Sequence, residues 1–180
     1  MVSAVIDQIN LEPAQRRIWR SREARAIRDA LLHFTERGAL SDFTAGKLRL
    51  GRMTFTVLCN DGRSYCLRLD IDAGTLRLSG LLPHIDERSP LFKELKNFLR
   101  PFATAQVSPS LRMDPNRAEV NLVAEDSGVV LLATVKGSQY EHCARRLVGL
   151  ADEVRRLFPC ELSSHGAERR DAAIRALTLG

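Results

Sequence analysis

The chain has little of what usually marks chemistry. Neither GxGxxG nor GxxxxGKS/T occurs in its 180 residues, so no loop is built to cradle phosphates. Four cysteines, Cys59, Cys66, Cys143 and Cys160, form no CxxC pair and no disulfide-dense framework. Four histidines, His33, His84, His142 and His165, are far apart and lack the spacing of metal ligands. No nucleophile–base pair stands out. Aromatic residues make up 6% of the chain, with one Trp and two Tyr. No apolar run approaches the ~20 residues of a membrane helix, and residues 1–10 lack the basic start and apolar core of a signal peptide. These absences predict a cytoplasmic protein with no catalytic residues, cofactor or metal, its cysteines acting as small buried hydrophobes.

Charge is the next feature. Lys and Arg total 27 against 22 Asp and Glu, a formal net charge of +5. Only Lys47, Lys93, Lys96 and Lys136 are lysine; the other basic residues are arginines spread along the chain. Many have acidic neighbours, as Arg155 has Asp152 and Glu153, which reads as solvated helix faces. A basic nucleic-acid-binding protein is the alternative reading that the charge supports.

A pattern of alternating strands followed by an amphipathic helix occurs twice, over about Met53–Phe102 and Gln106–Phe158. Ahead of it, Ser21 caps a helix carrying Ala24, Ile27, Leu31 and Phe34 on one face, and Gly38 ends it. Leu40 and Phe43 fall in a connecting loop, and Lys47–Leu50 reads as a short edge strand. A three-residue loop, Asn60-Asp61-Gly62, pairs Val57 with Tyr65 and Phe55 with Leu67, which puts the apolar side chains of both strands on one face. Four-residue loops then pair Ile71 with Leu76 and Leu69 with Leu78, Met113 with Ala118 and Leu111 with Val120, and Ala124 with Val129 and Leu122 with Leu131. Ser89 and Pro90 open a helix with Leu91, Leu95, Phe98 and Phe102 inward. Ser138 and Glu141 form a capping box for a helix with Tyr140, Cys143, Leu147, Leu150, Val154 and Leu157. The prediction is an α+β fold: a helix, then two antiparallel three-stranded β-meanders, each followed by an amphipathic helix. Its core includes Ile27, Leu31, Phe55, Val57, Leu67, Leu69, Leu95, Phe98, Leu122, Leu131, Leu147 and Val154. The domain spans 21–159, between an N-terminal arm (1–20) and a C-terminal tail (160–180) with a possible short helix.

The acidic pair in Asp70-Ile71-Asp72 sits where a strand enters a turn, a place aspartate occupies for local hydrogen bonding. Val129–Val135 is different: it is apolar on both faces. Val130 and Leu132, with Val123 on the neighbouring strand, point away from the core. Such a strand is covered on both sides or lies beneath a partner. Val123, Val130, Leu132 and Trp19 are therefore the candidate protein-binding residues.

The order of elements from Ser21 to Phe158 resembles the type III secretion chaperone fold, and is closest to its YbjN-type relatives. The stretch Leu91-Phe92-Lys93-Glu94-Leu95-Lys96-Asn97-Phe98-Leu99 carries the resemblance, with Gly128-Val129-Val130-Leu131-Leu132-Ala133 leading to Leu147 and Leu150. The resemblance implies a non-enzymatic, chaperone-like homodimer that binds protein segments on exposed apolar and sheet surfaces. The residues themselves favour a protein-binding module acting as a homodimer, ahead of a nucleic-acid binder and a small-ligand-binding domain.

Overall fold

The structure, a computed structural model, describes residues 21–82, 85–104, 107, 112–126 and 128–158. It is an α+β fold with one antiparallel six-stranded sheet and three α-helices. In chain order these are α1 (Arg22–Glu36), β1 (Asp42–Ala45), β2 (Arg52–Leu58), β3 (Ser64–Asp70), β4 (Thr75–Ser79), α2 (Pro90–Leu99), β5 (Ala118–Glu125), β6 (Gly128–Val135) and α3 (Tyr140–Leu157). A turn of 3₁₀ helix, Arg100–Ala103, follows α2 and contains Pro101. The strands lie in the order β1-β2-β3-β4-β6-β5, so β4 pairs with β6 and joins the two halves of the chain into one sheet. The arm with Trp19 and the tail with Cys160 lie outside the described residues, as do His84 and Leu111.

One face of the sheet holds the core. Met53, Phe55, Val57, Tyr65, Leu67, Leu69, Leu76, Leu78, Leu131 and Ala133 are buried there in a single cluster with residues of all three helices. Ala24, Ile27, Ala30 and Leu31 face inward from α1, at the spacing of one helical face. α3 packs on α1, β4 and β6, while the aromatic ring of Phe98 on α2 sits 5.0 Å from Phe102 and 5.5 Å from Phe158. Of the expected core, only Leu122 is less than fully enclosed, packing half-buried against the cluster from the edge strand β5.

Turn chemistry sets the registers. Gly62 adopts φ +81° and Cys59 N–H donates to Arg63 O, so Phe55 pairs with Leu67 and Val57 with Tyr65 as the sequence predicts. The next hairpin lies two residues away from expectation: Leu69 pairs with Leu76 and Leu67 with Leu78. Its loop is Ile71–Gly74, closed by Gly74 at φ +62° and by Ala73 N–H donating to Asp70 Oδ1. A two-residue shift keeps every side chain on its own face, so alternation alone does not distinguish the registers.

Other expectations change as well. The edge strand is β1, which the sequence reading assigned to a loop, because Phe43 and Ala45 extend the core face opposite Val57 and Phe55. Residues 47–50 instead enter a two-residue turn, with Arg49 and Arg52 exchanging backbone hydrogen bonds. The capping box at Ser138 is not formed: α3 starts at Tyr140 after Gln139, and Glu141 pairs one turn ahead with Arg145. In α2 it is Phe92 that enters the core, with Leu91 half-buried. Met113 lies outside the strands, its N–H donating to Phe102 O, while Ala118 pairs with Val135.

Candidate functional site

The second face of the sheet carries the side chains that alternate with the core. The register aligns them in rows across the strands. One row runs Thr54, Arg68, Arg77, Leu132, Asn121, and a neighbouring one pairs Val130 with Val123. The structure thus brings Val123, Val130 and Leu132 together on the face opposite the core, and Trp19 lies outside the described residues. Val123 and Leu132 are half-buried, but Val130 is 1% exposed although it does not belong to the core cluster.

An ion pair helps to explain that burial. Arg77 of β4 pairs with Glu125 of β5 across the intervening strand β6. Arg77 lies opposite Leu132 and Glu125 opposite Gly128, so the line joining them crosses β6 at Val130. Arginine stems pack along apolar surface while their heads reach a carboxylate. At 35% and 30% side-chain exposure, the pair is worth little as an electrostatic bond alone. Its line across β6 at Val130 fits the burial of that residue. The sequence reading puts Glu125 in the loop between Ala124 and Val129, and only the β4–β6 pairing makes Arg77 its neighbour.

Away from this patch the face is polar and basic. Thr56 and Arg68 are exposed, and Lys47, Arg49, Arg52 and Arg68 line an open groove with Thr54. Arg52 Nε donates to Asp70 at 2.7 Å. Asp70 is held below the usual carboxylate range, first by the Ala73 N–H and then by Arg52. Asp72 lies instead against Gly51, where an added Cβ would come within 2.9 Å of its carboxylate. Asp70 thus has a local structural role, and the two carboxylates of Asp70-Ile71-Asp72 face different neighbours.

The remaining reactive groups are scattered. Cys59 and Cys66 are free thiols on opposite faces, and burial pushes the Cys143 thiol up to about 12, too high for a reactive thiolate. His142 is shifted below its ordinary value by burial, and further by Arg146 and Arg117. Among the described residues no group of three or more His, Cys, Asp or Glu is placed to hold a metal ion. Among them, too, no helix is long and apolar enough to cross a membrane. No family model, curated protein or solved structure matches the chain.

Proposed function

We propose that the chain is a non-enzymatic protein-binding module, chaperone-like or regulatory, of the YbjN-type and type III secretion chaperone-like fold, acting in the cytoplasm as a homodimer. The observation that carries this reading is β6, which is apolar on both faces in a sheet whose core cluster occupies one. Leu132 and Val123 offer apolar surface beside the Arg77–Glu125 pair. A two-fold interface lets such a patch bury its own copy, stabilising by roughly 25 cal/mol per Å² of apolar surface removed from water. Asn121 and Arg77, which flank Leu132, then provide polar edges to the interface.

Light scattering on the wild-type protein at micromolar concentration tests the reading. The expected result is a mass twice the 20.1 kDa of one chain, reduced to one chain by Leu132→Asp without loss of the folded circular dichroism spectrum. A monomeric wild type would overturn the dimer. Nucleic-acid binding is the second reading, favoured by the groove of Lys47, Arg49, Arg52 and Arg68. It ranks lower because the strand aromatics Phe55 and Tyr65 are buried in the core and Phe43 packs half-buried against it, so none offers a stacking platform on the second face.

A further inference from the structure

A second feature lies in the helical layer, away from the sheet face discussed above. Where α1 ends against the middle of α3, a cleft of about 420 Å³ opens. His33, Phe34 and Arg37 line it from the end of α1, and Arg145, Arg146 and Gly149 from α3. Among the described residues no carboxylate lines it. Its volume is in the range of small-molecule sites.

The charges in this cleft are unevenly matched. Arg145 is engaged by Glu141, one turn away on the same helix, at 2.8 Å. Arg146 has no ion pair among the described residues, and its Nε is buried without a hydrogen-bond partner. Burial presses its pKa down, and the nearby arginines Arg117, Arg145 and Arg112 add to the effect. Arg37 is exposed at the cleft and likewise has no ion pair among the described residues. Neither Arg37 nor His33 is required to cap α1, because the carbonyls of His33, Phe34 and Thr35 already accept backbone N–H groups.

An unpaired guanidinium that is partly removed from water is unfavourable until an anion reaches it. Guanidinium geometry suits phosphate oxygens, which accept two parallel N–H bonds. Gly149 leaves the wall of α3 without a side chain at this point, although glycine inside a helix weakens it. Phe34 gives the cleft an apolar side. We propose that this cleft binds a small phosphate-bearing molecule, its phosphate held by Arg146 and Arg37 and its organic part resting against Phe34 and Gly149.

Calorimetric titration of the full chain with inorganic pyrophosphate, at constant ionic strength, tests the phosphate subsite. Saturable one-to-one binding is expected, weakened by at least about tenfold in Arg146→Gln and in Arg37→Gln. Arg156→Gln removes the same charge from α3 where the arginine is paired with Glu153, and should leave the affinity unchanged. Arg37 is exposed, so its variant keeps the test open if Arg146→Gln fails to fold. No saturable binding up to about 10 mM pyrophosphate would overturn the site, as would equal weakening by all three variants, the mark of a diffuse charge effect. Because the cleft is separate from Leu132, neither result depends on whether the protein dimerises.

Discussion

Leu67 and Leu131 show what a single side chain contributes. Both are completely buried on the inner face, Leu67 beside Phe55 on β2 and Leu131 between Leu78 on β4 and Leu122 on β5. Replacing either by alanine removes the transfer free energy of the lost carbons and leaves a cavity, a combined cost of about 2–5 kcal/mol. Chemical denaturation of the two variants is expected to show losses in that range, and near-neutral midpoints for both would refute the inner face as core. Leu132, one residue along β6, points the other way and has a different role. Its partners are Arg77 and Asn121 rather than other leucines. The alternation that puts Leu131 in the core is legible in the sequence. The neighbours of Leu132 are not, because they come from the pairing of β4 with β6.

At the scale of the element, the two-residue turn between Arg49 and Arg52 gives the most direct test. Leu50 and Gly51 both have positive φ, +45° and +68°, the geometry of a type I′ turn. Leucine is strained in that conformation, and its side chain is 93% exposed, so packing returns almost nothing. Leu50→Asn places the favoured Asn-Gly pair in the turn and is expected to stabilise by about 0.5–1 kcal/mol, raising the thermal midpoint. An unchanged or lower midpoint would refute the strain. The other end of β2 is held differently: Arg155 of α3 reaches Asp61 at 2.7 Å and Asp152 at 2.6 Å. That contact joins the β2–β3 loop to the last helix. The Asn60-Asp61-Gly62 loop could be located from its residues, but not its helical partner 94 positions away.

For the whole molecule, the buried titratable groups set a pH window. The pKa of His142 is lowered from its ordinary 6.5, chiefly by burial and also by Arg146 and Arg117. A lowered folded-state value means that the unfolded chain takes up the proton first, so stability is present above about 6.5 and declines as pH falls below it. The lowered carboxyls of Glu23, Asp61 and Asp70 extend the loss at more acidic pH in the same direction. On the alkaline side, burial raises Cys143 from 9.0 to about 12 and also raises Cys59 and Tyr65. Stability from these groups is present below about 9 and is lost as pH rises and the unfolded thiols ionise. Thermal midpoints measured across pH should therefore form a plateau between about 6.5 and 9. His142→Gln is expected to flatten the first part of the acid-side decline, and an unchanged acid limb would show that His142 does not drive it.

Residue order alone specifies the inward face of α1 and of β2, β3, β4 and β6, where α1 and α2 begin, and how the β2–β3 and β5–β6 hairpins pair. Those features depend on local rules: alternation along a strand, the 3.6-residue helical repeat, Ser21 and Ser89 as caps, and Gly62 in a left-handed turn. Tertiary structure decided the register of β3 against β4, since a two-residue slip preserves both faces and leaves no trace in alternation. It also made β4 and β6 neighbours, so that Arg77 meets Glu125 over Val130. The cleft of Arg37 and Arg146 likewise exists only where α1 packs on α3. In each case the contacting residues are distant in the chain, and what brings them together is burial of a shared apolar face, which constrains faces more tightly than it constrains partners.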